Sequence, residues 1–219
     1  MARLYSSGFE NNNSTEQGDS GASFGTFDTT TVRSGTYSNR HTGFASGTPQ
    51  YTGQQFLAAA GNGPYFVRFY FRVATSPSAE NRFAAFADAG PTYIAWLTID
   101  ASNVIRLYDE DGQITGTTTL TANTWYRIEM KIDRTAAAGS HIVEAKVDGT
   151  SFATSSTRSL SNGVTRFRMG ANLASEAQTT GNWYFDDFAI NNSSGSAQTG
   201  YPGDGKIVHL RPNAAGDNA

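Results

Sequence analysis

Two adjacent carboxylates, Asp186 and Asp187, interrupt the run Trp183-Tyr184-Phe185-Asp186-Asp187-Phe188-Ala189-Ile190. A charge among large apolar side chains is costly unless it is hydrogen-bonded, paired or bound to a metal. Side chains alternate along a strand, so Asp186 and Asp187 are expected to point to opposite faces, one of them in or beside the core, and the pair reads as a clamp or as a site. Glycoside hydrolysis with retention would need two carboxyls about 5–5.5 Å apart. The other acidic groupings offer no such pair. Glu144 and Asp148 lie on one strand at the wrong spacing, with Asp148 in a turn, and Asp109-Glu110-Asp111-Gly112 reads as a hairpin tip with an Asp-Gly turn. His41, His141 and His209 are isolated, so each reads as a hydrogen-bonded or surface group rather than a general base. No serine nucleophile elbow is read in the chain. The expectation from these residues is a protein that is not an enzyme.

Binding chemistry is the other candidate. Sugar sites set an exposed ring beside Asn, Asp or Arg, and Trp96, Trp125, Trp183 and Tyr70 are the rings to consider. In Tyr65–Val73 the residues Tyr65, Val67, Phe69, Phe71 and Val73 alternate with Phe66, Arg68, Tyr70 and Arg72. Period two predicts a half-buried strand. Arg68, Tyr70 and Arg72 then share an outer face that could meet a glycan or a partner protein, or simply lie solvated over Phe66. Trp125–Asp133 alternates in the same way. It places Tyr126, Ile128, Met130 and Ile132 inward and Trp125, Arg127, Glu129 and Lys131 outward. Trp125 is thus either a ligand ring or an edge anchor.

The remaining elements follow from turn residues and alternation. Strands are expected near the opening Leu4–Glu10 and at Phe24–Val32, Gly35–Arg40, Arg82–Asp88, Tyr93–Asp100, Asn103–Tyr108, His141–Val147 and Val164–Met169. A further strand follows the Asp148-Gly149 turn, and Trp183–Ile190 closes the set. Loops are expected at 41–53, 134–140 and 170–182. No amphipathic helix stands out. Ten or more short strands separated by Gly, Asn and Asp turns predict an all-β fold, an antiparallel two-sheet jelly-roll sandwich. It covers residues 1–192, and 193–219 form a linker and C-terminal extension with a short strand at Lys206–Leu210.

Composition narrows the function classes. The chain has 219 residues, a formal net charge of −3, 16% charged residues, 12% aromatics and no cysteine. A weakly acidic chain has no electrostatic case for nucleic acid or an anionic membrane. Disulfides and thiolate metal sites are excluded. The N-terminus lacks the apolar core of a secretory signal and no run is long enough to span a bilayer, so synthesis in the cytoplasm is expected.

The ordered set Gly8-Phe9-Glu10, Arg33–Ser38, Tyr65–Phe71, Thr124–Glu129, Val147-Asp148-Gly149 and Tyr184–Ile190 resembles the concanavalin A-like lectin and glucanase group, nearest its laminin-G-like branch. The resemblance covers nearly all of residues 5–191. The Glu-x-Asp-x-x-Glu run of the glucanase members is missing. Members bind sugars or proteins, or serve as structural modules. Related jelly rolls hold a structural calcium through an acid near the N-terminus and one in the last long strand. Glu10 and Asp186 or Asp187 match those positions, and loop carbonyls after Glu10 would complete the shell. Without an ion, the aspartates would accept backbone N–H groups or pair with Arg33 or Arg168. Either way, one of them is expected to tie Gly8-Phe9-Glu10 to the last strand.

Tyr201-Pro202-Gly203-Asp204-Gly205-Lys206-Ile207 and the Arg211–Asp217 loop resemble segments of tailed-bacteriophage virion proteins. That resemblance implies a structural or decoration protein of the virion. Its expected partners are other capsid or tail proteins, further copies of itself, and a host-surface glycan. A carbohydrate-binding module for host adhesion is the alternative, and a hydrolase or lyase the third reading.

Overall fold

The computed structural model describes residues 3–13, 18–20, 24–42, 50–90, 92–171 and 181–207. Every regular element among them is a strand: β1 (Arg3–Ser7), β2 (Asp19–Ser20), β3 (Thr26–Asp28), β4 (Ser38–Thr42), β5 (Gln50–Gln55), β6 (Tyr65–Thr75), β7 (Asn81–Ala87), β8 (Tyr93–Ile99), β9 (Val104–Asp109), β10 (Gly112–Thr119), β11 (Trp125–Asp133), β12 (His141–Val147), β13 (Thr150–Arg158), β14 (Arg166–Ala171) and β15 (Asn182–Asn192).

They form two antiparallel sheets. The first runs β13-β12-β11-β6-β15-β4-β3, with β1 also paired to β15, and the second runs β10-β9-β8-β7-β14-β5-β2. This is the all-β jelly-roll sandwich expected.

Phenylalanines from both sheets interlock between them. Phe71 of β6 stacks on Phe83 of β7 at 4.5 Å, and Phe69 packs against Phe83 and Phe167. Each such ring, once buried, contributes roughly 2–3 kcal/mol. The inward residues of β6 and β11 are those that alternation selects: Val67, Phe69, Phe71, Ile128, Met130 and Ile132 all belong to the core.

Several expectations are revised. Strand β10 continues past the Asp-Gly turn, with a bulge between Ile114 and Thr117. Residues 41–42 extend β4 and 50–53 begin β5, where a loop was expected, while 43–49 lie outside the described residues. Lys206 and Ile207 are not in a strand, and residues 208–219, including His209, lie outside the described residues.

The larger revision concerns β15. Its core side chains are Trp183 and Phe185, then Phe188 and Ile190, so the inward parity switches from odd to even. The switch occurs where the pairing with β6 slips, between Asp186↔Tyr70 and Ala189↔Arg68. One extra residue is accommodated there, and Asp187 takes φ 49°, a left-handed conformation. This is a β-bulge. It overturns the expectation that Asp186 and Asp187 point to opposite faces. On its other edge β15 pairs β4 through Asn182–Phe185 and β1 through Phe188–Asn191, leaving the two aspartates at the gap between them.

Candidate functional site

The gap in β15 is filled by the loop that joins β3 to β4, and acids hold that loop by its backbone. Asp28 accepts from Thr30 N and Thr31 N, at 2.9 and 2.7 Å. Asp186 Oδ2 accepts from Arg33 N at 2.9 Å and Ser34 N at 3.3 Å, and its Oδ1 from Asp187 N at 2.7 Å. Glu10 accepts from Thr36 N and Tyr37 N. Asp187 pairs with the Arg33 guanidinium at 2.9 Å and also accepts from Ser34 Oγ and Ile207 N. Gly35, at φ +72°, passes so close to the Glu10 carboxylate that a Cβ would collide with it.

This arrangement bears directly on calcium. The groups pointing at Glu10, Asp186 and Asp187 are N–H, O–H and guanidinium donors. A calcium site needs oxygens converging on an ion. No group of three or more potential metal ligands exists among the described residues. In this arrangement the three acids do not fit the ion and serve as acceptors for one loop. Arg33, rather than Arg168, is the partner. The expected tie between Gly8-Phe9-Glu10 and β15 is indirect, because Glu10 and the aspartates grip the same loop from two sides.

Burial, and then the neighbouring Asp187, push the pKa of Asp186 up to about 8, against the pull of its three N–H donors. His41 is fully buried, hydrogen-bonded to Asn39 and packed edge-on against Phe185, and burial pushes it down to about 3. His141 accepts from Leu160 N at 3.0 Å. The buried Asp109 pairs with Arg158, and Glu110 and Asp111 accept from Ser161 N and Ser159 N. The hairpin tip is therefore a fastening for the 158–162 loop.

Gly21-Ala22-Ser23-Phe24-Gly25 does carry the letters of a nucleophile elbow, contrary to the sequence reading. Residues 21–23 lie outside the described residues. The run stands between β2 and β3, whereas an elbow joins a strand to a helix.

The outer face of the first sheet differs from the solvated surface that β6 implied. Arg68 and Tyr70 are only 2% and 5% exposed. The cover is the chain's own segment 201–207. Arg68 donates to the carbonyls of Gly203 and Gly205, and Tyr70 Oη donates to the Asp204 carboxylate. Arg72 reaches Asn123 instead, with its guanidinium 5.5 Å from the centre of the Tyr184 ring. Trp125, half-buried, lies opposite Arg72 on the neighbouring strand. Trp183 is fully buried in the core.

The second sheet carries a different face. Trp96 of β8 is half-buried, and Tyr108 of β9 stacks on it with an interplanar angle of 2° at 5.9 Å. On the β7 side the Arg82 guanidinium lies 4.4 Å from the Trp96 ring centre and 5.6 Å from that of Tyr93. Arg168 of β14 continues the row, 5.7 Å from Tyr93 and 4.4 Å from Tyr51 of β5. Six side chains from five neighbouring strands therefore alternate ring and guanidinium across the sheet. Beside the row, Arg106 bonds Asp100 at 2.8 Å, and Glu80 accepts from Thr98 Oγ1 and Tyr108 Oη.

Of these residues, sequence reasoning named only Trp96 as a ring to consider. The others are far apart in the chain. Strand pairing brings them together, and no local spacing announces it.

No family model matches the chain, and no curated protein matches it. Solved structures do. A "Cellulose induced protein, Cip1" superposes with a TM-score of 0.60 at 18% identity, over 91% of this chain and 99% of that one. The binding domain of Paraclostridial Mosquitocidal Protein 1 gives 0.58 at 13% identity, over 87% of this chain and 48% of that one. The binding domain of Botulinum Neurotoxin DC in complex with SialylT gives 0.57 at 9% identity, over 87% and 48%. At these identities the similarity establishes the fold alone, a two-sheet antiparallel β-sandwich.

Proposed function

We propose that the chain is a carbohydrate-binding module that takes glycans on the ring-and-guanidinium row of the second sheet. The observation that carries the reading is the Tyr51-Arg168-Tyr93-Arg82-Trp96-Tyr108 alternation on one sheet face. The partly exposed rings of Tyr51, Tyr93, Trp96 and Tyr108 offer apolar surface to the C–H faces of sugars, with the arginines supporting them from beside and beneath. Stacking also holds the rings in place, so less side-chain entropy is lost on binding. Similar structures include binding domains, one of them in complex with SialylT, which supports this role.

The role is binding without catalysis. Asp100, beside the row, is held below the usual carboxylate range, because the opposing effect of burial is outweighed by the Arg106 guanidinium and the Val104 and Ser102 N–H groups, so it is a poor proton donor. Placement on a bacteriophage particle, with capsid or tail partners, rests on the sequence resemblance, and the similar structures add nothing to it.

A glycan array covering neutral and acidic sugars, followed by calorimetry on the hits, tests the reading. Trp96→Ala should weaken binding at least tenfold while keeping the parent's far-ultraviolet circular dichroism. An array without hits, or a Trp96→Ala variant that binds like the parent, would sink it.

A further inference from the structure

The segment 201–207 lies on the first sheet in the manner of a bound peptide. Its residues meet the strands in their spatial order. The Tyr201 ring packs edge-on against Phe66 at 5.2 Å, under the Lys146 ammonium at 4.0 Å, and its hydroxyl donates to Glu144 of β12 at 2.7 Å. Gly203 N donates to Glu129 of β11 at 3.1 Å. The carbonyls of Gly203 and Gly205 accept from Arg68 of β6, and the Asp204 carboxylate accepts from Tyr70 Oη and the Arg33 guanidinium. Gly205 also donates to Tyr70 Oη and accepts from Arg33. Ile207 N donates to Asp187 of β15 at 2.5 Å. Gly205 lies so close to Arg68 that a Cβ there would crowd its guanidinium.

Two features make this cover removable. First, no residue of 201–207 belongs to the hydrophobic core. The face beneath is charged and hydroxylated, with Arg33, Arg68, Tyr70, Glu129, Glu144 and Lys146, and such groups are satisfied by water when uncovered. Second, the connection from β15 is residues 193–199, all exposed and rich in Ser and Gly. To bring the segment back over its own sheet, Gln198 adopts φ 56°, which L side chains rarely take. Straightening the connection relieves that conformation.

We propose that the outer face of the first sheet is a peptide-binding groove for the Tyr-Pro-Gly-Asp-Gly segment, and that a second copy of the chain can supply this segment in place of the chain's own. The contacts are the same within one chain and between two. The balance is therefore set by the bent connection and by concentration, as in other exchanges of identical elements. A short flexible connection gives the chain's own segment a local concentration on the order of millimolar, so exchange dominates where copies are crowded or where the resident segment is impaired. This inference does not depend on the glycan reading, which concerns the other sheet.

The test uses two full-length variants. The acceptor, Tyr201→Ala with Asp204→Ala, keeps the groove and loses the anchoring side chains of its own segment. The donor, Tyr70→Phe with Glu129→Gln and Glu144→Gln, keeps the segment and loses groove partners. Each alone should sediment as a monomer. A 1:1 mixture should form a complex of twice the monomer mass, and that complex should vanish when the donor also carries Tyr201→Ala and Asp204→Ala. A mixture that stays monomeric, or a complex that persists without the donor's anchors, overturns the proposal. Should the donor fail to fold, a fluorescent peptide of residues 201–207 replaces it. Saturable binding to the acceptor, at least tenfold weaker to the parent with its groove filled, supports the groove, and no binding overturns it.

Discussion

The two outer faces of the sandwich are built from similar side chains and arrange them differently. Each sets arginines beside tyrosines, with acids close by. On the first sheet the Arg68 guanidinium donates into the backbone of residues 203–205, and Tyr70 is held by Asp204. On the second, Arg82 and Arg168 lie against Trp96, Tyr93 and Tyr51; Arg168 is 6% exposed, and the rings of Tyr51, Tyr93, Trp96 and Tyr108 are partly exposed. An arginine surrounded by acceptors is a fastener, whereas an arginine laid on a ring also supports the ring and fixes its orientation. The composition of a face therefore says little about its role until one knows what covers it.

Four experiments would break or sharpen this contrast. The largest effect is expected from Asp187→Ala on the fastened side. It strands Arg33 and removes acceptors for Ser34 and Ile207. Removing one partner of a buried pair costs about 3–5 kcal/mol, so the melting temperature should fall by about 10 °C for a chain of this size. Glycan affinity should hold, and a chelator should leave the parent's melting temperature unmoved, because donors already satisfy the acids. Equal melting temperatures for variant and parent would refute the clamp.

On the second sheet, Trp96→Ala should lose about 1.4 kcal/mol of binding, a tenfold change, with a smaller loss of stability. Tyr70→Phe should leave glycan affinity unchanged in calorimetry. If Tyr70→Phe abolishes binding, the faces have been assigned the wrong way round.

Protonation gives the third test. The His41 constant is depressed to about 3 in the folded chain, so the unfolded chain takes up a proton below about 6.5 that the folded one refuses. That contribution to stability is complete above pH 6.5 and is lost as pH falls toward 3. Asp186, raised to about 8, acts in the opposite sense, because the folded chain keeps a proton that the unfolded chain releases. Its contribution is present at low pH and is lost as pH rises toward 8. The two oppose each other between about pH 4 and 6.5, so urea midpoints should be nearly flat there and decline from pH 6.5 to 8. Asp186→Asn should remove the decline. A decline of the same slope in that variant would remove Asp186 from the account.

The smallest effect is expected for Arg72→Ala, at the margin of the covered face. Its exposed contact with Asn123 suggests a change of about 0.5 kcal/mol or less, checked as a midpoint shift in urea. A larger loss would show that the cover reaches further along β6 than residues 201–207.

Much of the architecture follows from local pattern. Period-two alternation in β6 and β11 identified which residues enter the core, since every second side chain of a strand points to the same face of its sheet. Turn residues marked most strand ends, and the Asp148-Gly149 hairpin lies where expected. His41, His141 and the hairpin tip have structural hydrogen bonds, as isolated polar residues usually do.

What tertiary structure decided lies where a local rule meets a distant partner. The alternation rule placed Asp186 and Asp187 on opposite faces. A one-residue slip against β6 lets both reach one loop, and the slip depends on β1 and β4 meeting either side of the gap. Tyr201–Ile207 has the glycine and proline content of a linker, yet it covers Arg68 and Tyr70 some 130 residues earlier. The row from Tyr51 to Tyr108 exists only because β5, β14, β7, β8 and β9 lie side by side in an order the chain does not follow. The sequence by itself determined which residues could be buried, because apolar periodicity is a local property. Which polar side chains are covered, and by what, was decided by contacts between segments far apart in the chain, and no window of residues contains that information.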